Sequence, residues 1–270
     1  MPGLTHRSSA IYPPTADRTS RLMTYCLVIS LNAGLAFASD SRTNAGVDNI
    51  STYSKMHTFG APGDRQFVLL SAGNLATTQG VVAQLHKDIE VGAPLNLMSS
   101  RTMEDAADYI GQVNQQVQQK HAGGSMFEAS FILGGQITGH RPSIHLIYPQ
   151  GNHITSSDDT PYLQVGESKY GKPILDRILK PDSNLETAAL CALVSMDSTM
   201  RSNLTVGPPL EVLIYEVNSL AIARRYRFED GSGYLRELKI RWDAALKDAF
   251  HSLPPITWGQ NWDANAGRKV

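Results

Sequence analysis

Residues 22–46 read LMTYCLVISLNAGLAFASDSRTNAG, and the character of the chain changes inside this stretch, at Met23-Thr24. From Thr24 onward come two short apolar runs, residues 25–29 (YCLVI) and 35–38 (LAFA), separated by Ser30-Leu31-Asn32-Ala33-Gly34. Two partly β-branched runs joined by a tight turn read as a β-hairpin. Thr24 opens the first strand and Asp40 lies at the end of the second. The stretch therefore predicts an antiparallel β start.

What precedes Thr24 is of a different kind. Residues 1–23 are rich in Ser, Thr, Pro and Arg and have no apolar h-region, so they do not read as a secretory signal. Pro13-Pro14 would break the amphipathic helix of a transit peptide. The expectation is a start codon read too early or a removable leader, outside the fold. The 270-residue chain is 41% hydrophobic and 18% charged with a net charge of −1, the profile of a globular protein with one substantial core. Near-neutral charge argues against nucleic acid as a partner. Two cysteines, Cys26 and Cys191, make no disulfide framework and point to a reducing, cytoplasmic setting. The absence of an apolar run of about 18 residues argues against a membrane span.

Further along, residues 66–71 (QFVLLS) predict a strand ending at Ala72-Gly73-Asn74, followed by helices over 75–88 and Met103–Lys120, the second stopping at a glycine pair. Strands follow at 127–133 and 143–148, joined by the glycine-rich GGQITGHRP, and at 162–165. Helices return over 172–179 and 185–200, then a hairpin of 211–217 with 221–228, and a last helix over 233–250 before Pro254-Pro255. Strands arriving in hairpins argue against a parallel doubly wound sheet. The fold class predicted is α+β: a four-layer αββα sandwich of two antiparallel sheets flanked by helix pairs. One domain over 24–258 with a tail over 259–270 accommodates every element.

The chemistry centres on Thr24. Cleavage after Met23 would expose an α-amine with a pKa of about 7.7–8.0, able to take the proton of its own hydroxyl. One residue then supplies nucleophile and base. Such a site needs a cation to stabilise the alkoxide and a carboxylate to orient that cation. Lys55 and Asp40 are within reach if the hairpin pairs as read.

The run TYCLVISLNAGLAFASDSRTNAGVDNISTYSKM resembles the start of a proteasome-type β subunit, in particular the bacterial ancestral β-subunit group called Anbu. Asp40 and Lys55 stand 16 and 31 residues after Thr24, matching that family's catalytic acid and, within one position, its lysine. The likeness extends through YLQVGESKYGKPILDRIL and VSMDSTMRSNLTVGPPLEVLIY. It implies an N-terminal-nucleophile hydrolase fold, with Thr24 as nucleophile, Lys55 easing its deprotonation and Asp40 holding Lys55. It further implies Asp197 as a second supporting acid, Ser168 as the serine bonded to the terminal amine, and Gly73 as a backbone oxyanion donor. Two positions depart from the family: Glu167 interrupts the usual Gly-Ser-Gly, and Met200 stands where a serine is common. A self-compartmentalising homo-oligomer, ring or helical, acting on peptides or unfolded proteins is implied; an ATPase or adaptor partner stays unidentified.

Other features have plainer readings. Cys26 reads as a small buried hydrophobe, and His140, His145 and His153 lack metal-ligand spacing. GGQITG lacks the Lys-Ser/Thr of a phosphate loop and reads as a hairpin connection. Arg42 reads as structural, paired with a carboxylate. The expected function is a threonine peptidase needing no cofactor or metal. The rivals are a small-amide hydrolase or transpeptidase on the same scaffold, and an inert assembly subunit with Thr24 capped. The tail LPPITWGQNW is a candidate assembly surface.

Overall fold

Hairpin formation follows from the local sequence: β1 (Tyr25–Leu31) turns through Asn32-Ala33 into β2 (Gly34–Asp40), with Cys26 opposite Ser39. The structure is a computed structural model that describes residues 24–44, 50–120, 125–222 and 224–256. The expected leader, the tail from 259 and the glycine pair after the second helix lie outside the described residues.

Next come β3 (Arg42–Asn44) and β4 (Ile50–Thr52), a two-stranded ribbon, then β5 (Met56–Ala61) and β6 (Arg65–Gly73). Helices α1 (Leu75–Glu90) and α2 (Met103–Lys120) lead to β7 (Ala129–Ile137), β8 (Ser143–Ile147), β9 (His153–Thr155) and β10 (Tyr162–Gly166). The chain continues through α3 (Ser168–Ile178), α4 (Leu185–Ser202), β11 (Leu210–Glu216), β12 (Arg224–Phe228) and α5 (Gly233–His251). One sheet runs β10-β1-β2-β11-β12 and the other β5-β6-β7-β8-β9, with antiparallel neighbours throughout.

Side-chain alternation sorts these strands into three cores. In β1, Tyr25, Leu27 and Ile29 pack beneath α3 and α4, whereas Cys26 and Val28 face the opposite sheet. In β6, Phe67 and Leu69 pack beneath α1 and α2, and Val68 and Leu70 meet Phe37 of β2 between the sheets. A strand covered on both faces must be apolar at every position, which explains the unbroken runs in the sequence. The layers are therefore helices, sheet, sheet, helices, as the pattern predicts. Burial of each such side chain contributes roughly 1.5–3 kcal/mol.

The structure corrects several boundaries. Residues 134–137 of GGQITG extend β7 rather than forming the connection. A Cβ on Gly134 would stand 2.7 Å from the Phe37 ring, and one on Gly135 2.1 Å from the Gln66 carbonyl oxygen. Gly134 marks close approach across the sandwich and Gly135 close approach to the neighbouring strand β6; the turn itself uses Gly139, at φ +80°. Ser125–Phe127 is a 3-10 turn, so β7 starts at Ala129 and not at Phe127. The helix expected from Lys172 begins at Ser168, and the strand expected from Ala221 begins at Arg224. Strands β3, β4, β5 and β9 carry no apolar pattern and were not expected.

Candidate active site

Asp40 organises a polar cluster at the end of the sandwich where the two sheets meet. It closes β2 beside Leu210 of β11 and is fully buried. Its Oδ1 accepts three donors: the Thr24 hydroxyl at 2.6 Å, the Lys55 ammonium at 2.6 Å and the Tyr25 backbone N–H at 3.1 Å. Its Oδ2 accepts the Gly207 N–H at 3.4 Å. Several donors to one carboxylate are what keeps a buried charge tolerable.

Each partner is placed by a different element. Thr24 precedes β1, and its carbonyl accepts the Glu167 N–H at 2.8 Å, just after β10. Gly166 makes that crossing feasible: at φ +87°, a Cβ there would lie 1.8 Å from the Thr24 carbonyl oxygen. Lys55 precedes β5 of the opposite sheet, where its carbonyl accepts the Ser71 N–H at 3.0 Å. Its ammonium also donates to the Arg42 carbonyl at 2.8 Å. The pair Lys55–Asp40 thus joins one sheet to the other, with the lysine side chain 11% exposed.

Thr24 and Lys55 open into a cleft of about 320 Å³ that also exposes Gly73, Ser71, His57 and Arg42. Val82 and Ala83 of α1 form part of its apolar wall. Gly73 sits at φ +110° against the Glu128 backbone, leaving no room for a side chain there. Burial pushes the Cys26 thiol up to about 12, and its Sγ donates to the Ser71 carbonyl at 3.6 Å. That group is a packed neighbour of the cluster and a poor nucleophile. His57 is held below its usual range, first by burial and then by the nearby His86.

The structure brings Thr24, Asp40 and Lys55 together and sets Gly73 on the same cleft. Asp197 it places elsewhere, and Ser168 it sets next to the segment that meets Thr24, without a bond to the cluster. Ser168 begins α3, one residue past Glu167, and its hydroxyl makes no hydrogen bond among the described residues. Asp197 lies on α4 two residues after Ser195, whose hydroxyl meets that of Tyr25 at 2.7 Å. Two residues turn a helix by about 200°, so Asp197 faces α5. There burial raises its carboxyl pKa, opposed by Lys239 and Arg201. Arg42 also differs from expectation: it donates to the Leu204 carbonyl at 2.7 Å and makes no salt bridge among the described residues. The sequence reading missed Gly166, Gly207 and the Arg42 carbonyl. The last two act through backbone atoms, which no residue type announces.

Among the described residues, no group of three or more His, Cys, Asp or Glu is placed to hold a metal ion. His145 and His153 approach at 3.3 Å on the far strands β8 and β9, and Asp108 of α2 meets His153 at 3.2 Å.

No family model and no curated protein matches the chain. Solved structures do. The Anbu (ancestral beta-subunit) protein from Yersinia bercovieri is 47% identical over 88% of this chain and 100% of its own, with a TM-score of 0.84. The helical assembly of the Anbu complex from Pseudomonas aeruginosa gives 46% identity, 88% and 100% coverage and a TM-score of 0.82. Anbu from Hyphomicrobium sp. strain MC1 gives 43% identity, 87% and 100% coverage and 0.81.

Proposed function

The chain belongs to the Anbu (ancestral β-subunit) family, and on that premise we propose that it is a threonine-type N-terminal-nucleophile peptidase working within a proteasome-like homo-oligomer. The observation that carries this reading is the Thr24 hydroxyl bonded to the same Asp40 oxygen that holds Lys55, at the wall of an open cleft.

In the proposed reaction, Thr24 is the first residue of the mature chain. Its α-amine takes the hydroxyl proton, directly or through water, as Oγ1 attacks the scissile carbonyl carbon. The Lys55 cation, oriented by Asp40, lowers the energy of the developing alkoxide. The tetrahedral oxyanion is received by the backbone N–H of Gly73, a contribution commonly of about 3–4 kcal/mol. Collapse breaks the C–N bond, the ammonium returns its proton to the departing amine, and an acyl ester remains on Oγ1. Water, deprotonated by the same amine, then releases the acid and restores Thr24. Asp40 keeps its charge throughout, and Ser168, which opens the segment beside the Thr24 carbonyl, would orient the amine. Asp197 supports α4 against α5 in this reading and takes no part at the reacting atoms.

The assembly part of the proposal draws on the relative from Pseudomonas aeruginosa, whose complex is helical. A reducing, cytoplasmic setting suits two buried free thiols; no described helix is long and apolar enough to cross a membrane. The test is intact-mass analysis with N-terminal sequencing, followed by hydrolysis of a fluorogenic peptide library. A chain beginning Thr-Tyr-Cys-Leu that cleaves peptides, with turnover lost in Thr24→Ala, meets the expectation. Undiminished turnover in Thr24→Ala would overturn the mechanism, and cleavage of small amides alone would move the substrate class.

A further inference from the structure

Strands β8 and β9 bring together two histidines that stand eight residues apart in sequence. His145 lies opposite Thr155 and His153 opposite Ile147, so the two are diagonal neighbours on one face of the sheet. That face is the one beneath α2, because Ile147, two residues on from His145, packs in the core that α2 covers. His145 is buried, at 4% exposure, and the His153 side chain keeps 19%. Nδ1 of one ring faces Nδ1 of the other at 3.3 Å, with the ring planes at 82° and the centroids only 5.0 Å apart. Centroids that close mean that the two nitrogens do not both point along the line joining them, as a well-aligned hydrogen bond would prefer. They converge to one side of it. At a zinc–nitrogen length of about 2.0–2.1 Å, a tetrahedral angle sets two ligand nitrogens about 3.3–3.4 Å apart and a linear one about 4 Å. The observed separation fits the tetrahedral case.

The outer nitrogens are held as well. His153 Nε2 meets Asp108 Oδ1 of α2 at 3.2 Å, and His145 Nε2 meets Ser143 Oγ at 3.1 Å. A metal-bound histidine keeps its other ring N–H on a carboxylate or similar acceptor, which fixes the tautomer that leaves the ligating nitrogen bare. With a proton on each Nε2, two bare Nδ1 lone pairs face one another, and a cation between them satisfies both. We propose that His145 and His153 bind a zinc ion through their Nδ1 atoms, with Asp108 and Ser143 as the acceptors behind them and water in the remaining positions. Imidazole suits zinc, whereas magnesium and calcium select oxygen. The half-open side of His153 is the way in, and the Asp108 carboxylate offsets part of the ion's charge. Two protein ligands make a weaker site than a closed set of four. The ion clamps β9, the edge strand of its sheet, to β8 and through Asp108 to α2. The site shares no residue with the Asp40 cluster, so it stands whether or not Thr24 is a nucleophile.

The test uses the full chain, stripped of metal with a chelator, dialysed, and titrated with zinc against a chromophoric competitor at neutral pH. Wild type should bind one more zinc per chain than His153→Gln. Zinc should raise the melting temperature of wild type and leave that of the variant in place, and magnesium at the same concentration should move neither. Asp108→Asn changes a side chain that is 64% exposed and keeps both ligands. It should weaken binding about 10–100-fold, and it decides the question alone if His153→Gln does not fold. X-ray absorption at the zinc edge should show two imidazoles completed by oxygens. Equal stoichiometry and affinity in wild type and variants would mean an adventitious ion only and overturn the proposal. A zinc shell of oxygens alone, or a wild type that takes up no zinc, would overturn it too.

Discussion

Removing the charge of Asp40 tests whether one carboxylate organises both the cluster and the sandwich around it. In Asp40→Asn the amide oxygen still accepts from Tyr25 or Thr24. The Lys55 ammonium, however, loses the anion 2.6 Å away while its side chain is only 11% exposed. Removing one partner of a buried pair costs about 3–5 kcal/mol, against 0–1 kcal/mol for a surface pair. Asp40 is fully buried, so the larger figure applies. That loss is a large share of the 5–15 kcal/mol typical of a domain. The double variant Asp40→Asn/Lys55→Met carries no unpaired charge and should recover much of it. The coupling from the four-species cycle should then be about 2–3 kcal/mol. Urea unfolding at one fixed protein concentration measures this, since association would otherwise shift the midpoints. A cost below about 1 kcal/mol for Asp40→Asn, with no coupling, would refute the claim that the ion pair ties the sheets together.

Thr24→Ala should abolish peptide turnover and, by removing the buried hydroxyl donor to Asp40, cost about 1–3 kcal/mol, a fall of roughly 2–12 °C in melting temperature; Thr24→Ser should retain measurable activity in the same assay. Gly166→Ala places a methyl 1.8 Å from the Thr24 carbonyl at φ +87°; backbone strain of about 1–3 kcal/mol plus the clash should lower the urea midpoint clearly. Burial and His153 hold His145 down at about 4 from its usual 6.5. It is neutral when folded, so the unfolded chain binds its proton first and stability falls as pH drops from 6.5 towards 4. His145→Gln should flatten that part of a midpoint-versus-pH curve. Burial pushes the Cys26 and Cys191 thiols up to about 12 and about 11, so an aromatic disulfide reagent should label neither until denaturant is added.

The hairpin was legible because β1 and β2 are covered on both faces and so are apolar without interruption. Helix α2 was legible to the residue, with Ala106, Ile110, Val113 and Val117 on its buried stripe and Glu104 and Asp105 in its first turn. Strand β5 was not. It is an edge strand in which only Met56 and Phe59 are buried, three positions apart, a spacing that fits no strand pattern. Gly134 and Gly135 misled for the opposite reason: glycine answers to close packing as well as to turns. At the site, the spacing of Thr24, Asp40 and Lys55 could be matched to a family along a single β start. Asp197 could not be placed this way, because its direction depends on the rotation of α4 that Ser195 and Tyr25 fix. That rotation is a packing outcome between segments 170 residues apart.

The cluster around Thr24 also has a timetable. Thr24, Asp40 and Lys55 all lie within the first 55 residues of the chain, yet Gly166, the Glu167 N–H and the Gly207 N–H arrive from its last two-fifths. Strands β10 and β11, which flank the opening hairpin, are made equally late. Contacts of such long range form slowly and only after the loops between them have closed. A growing chain on the ribosome therefore carries Thr24 for most of its synthesis without the surroundings that position it. A chain cut before Gly207 would hold all three side chains and still lack the finished site.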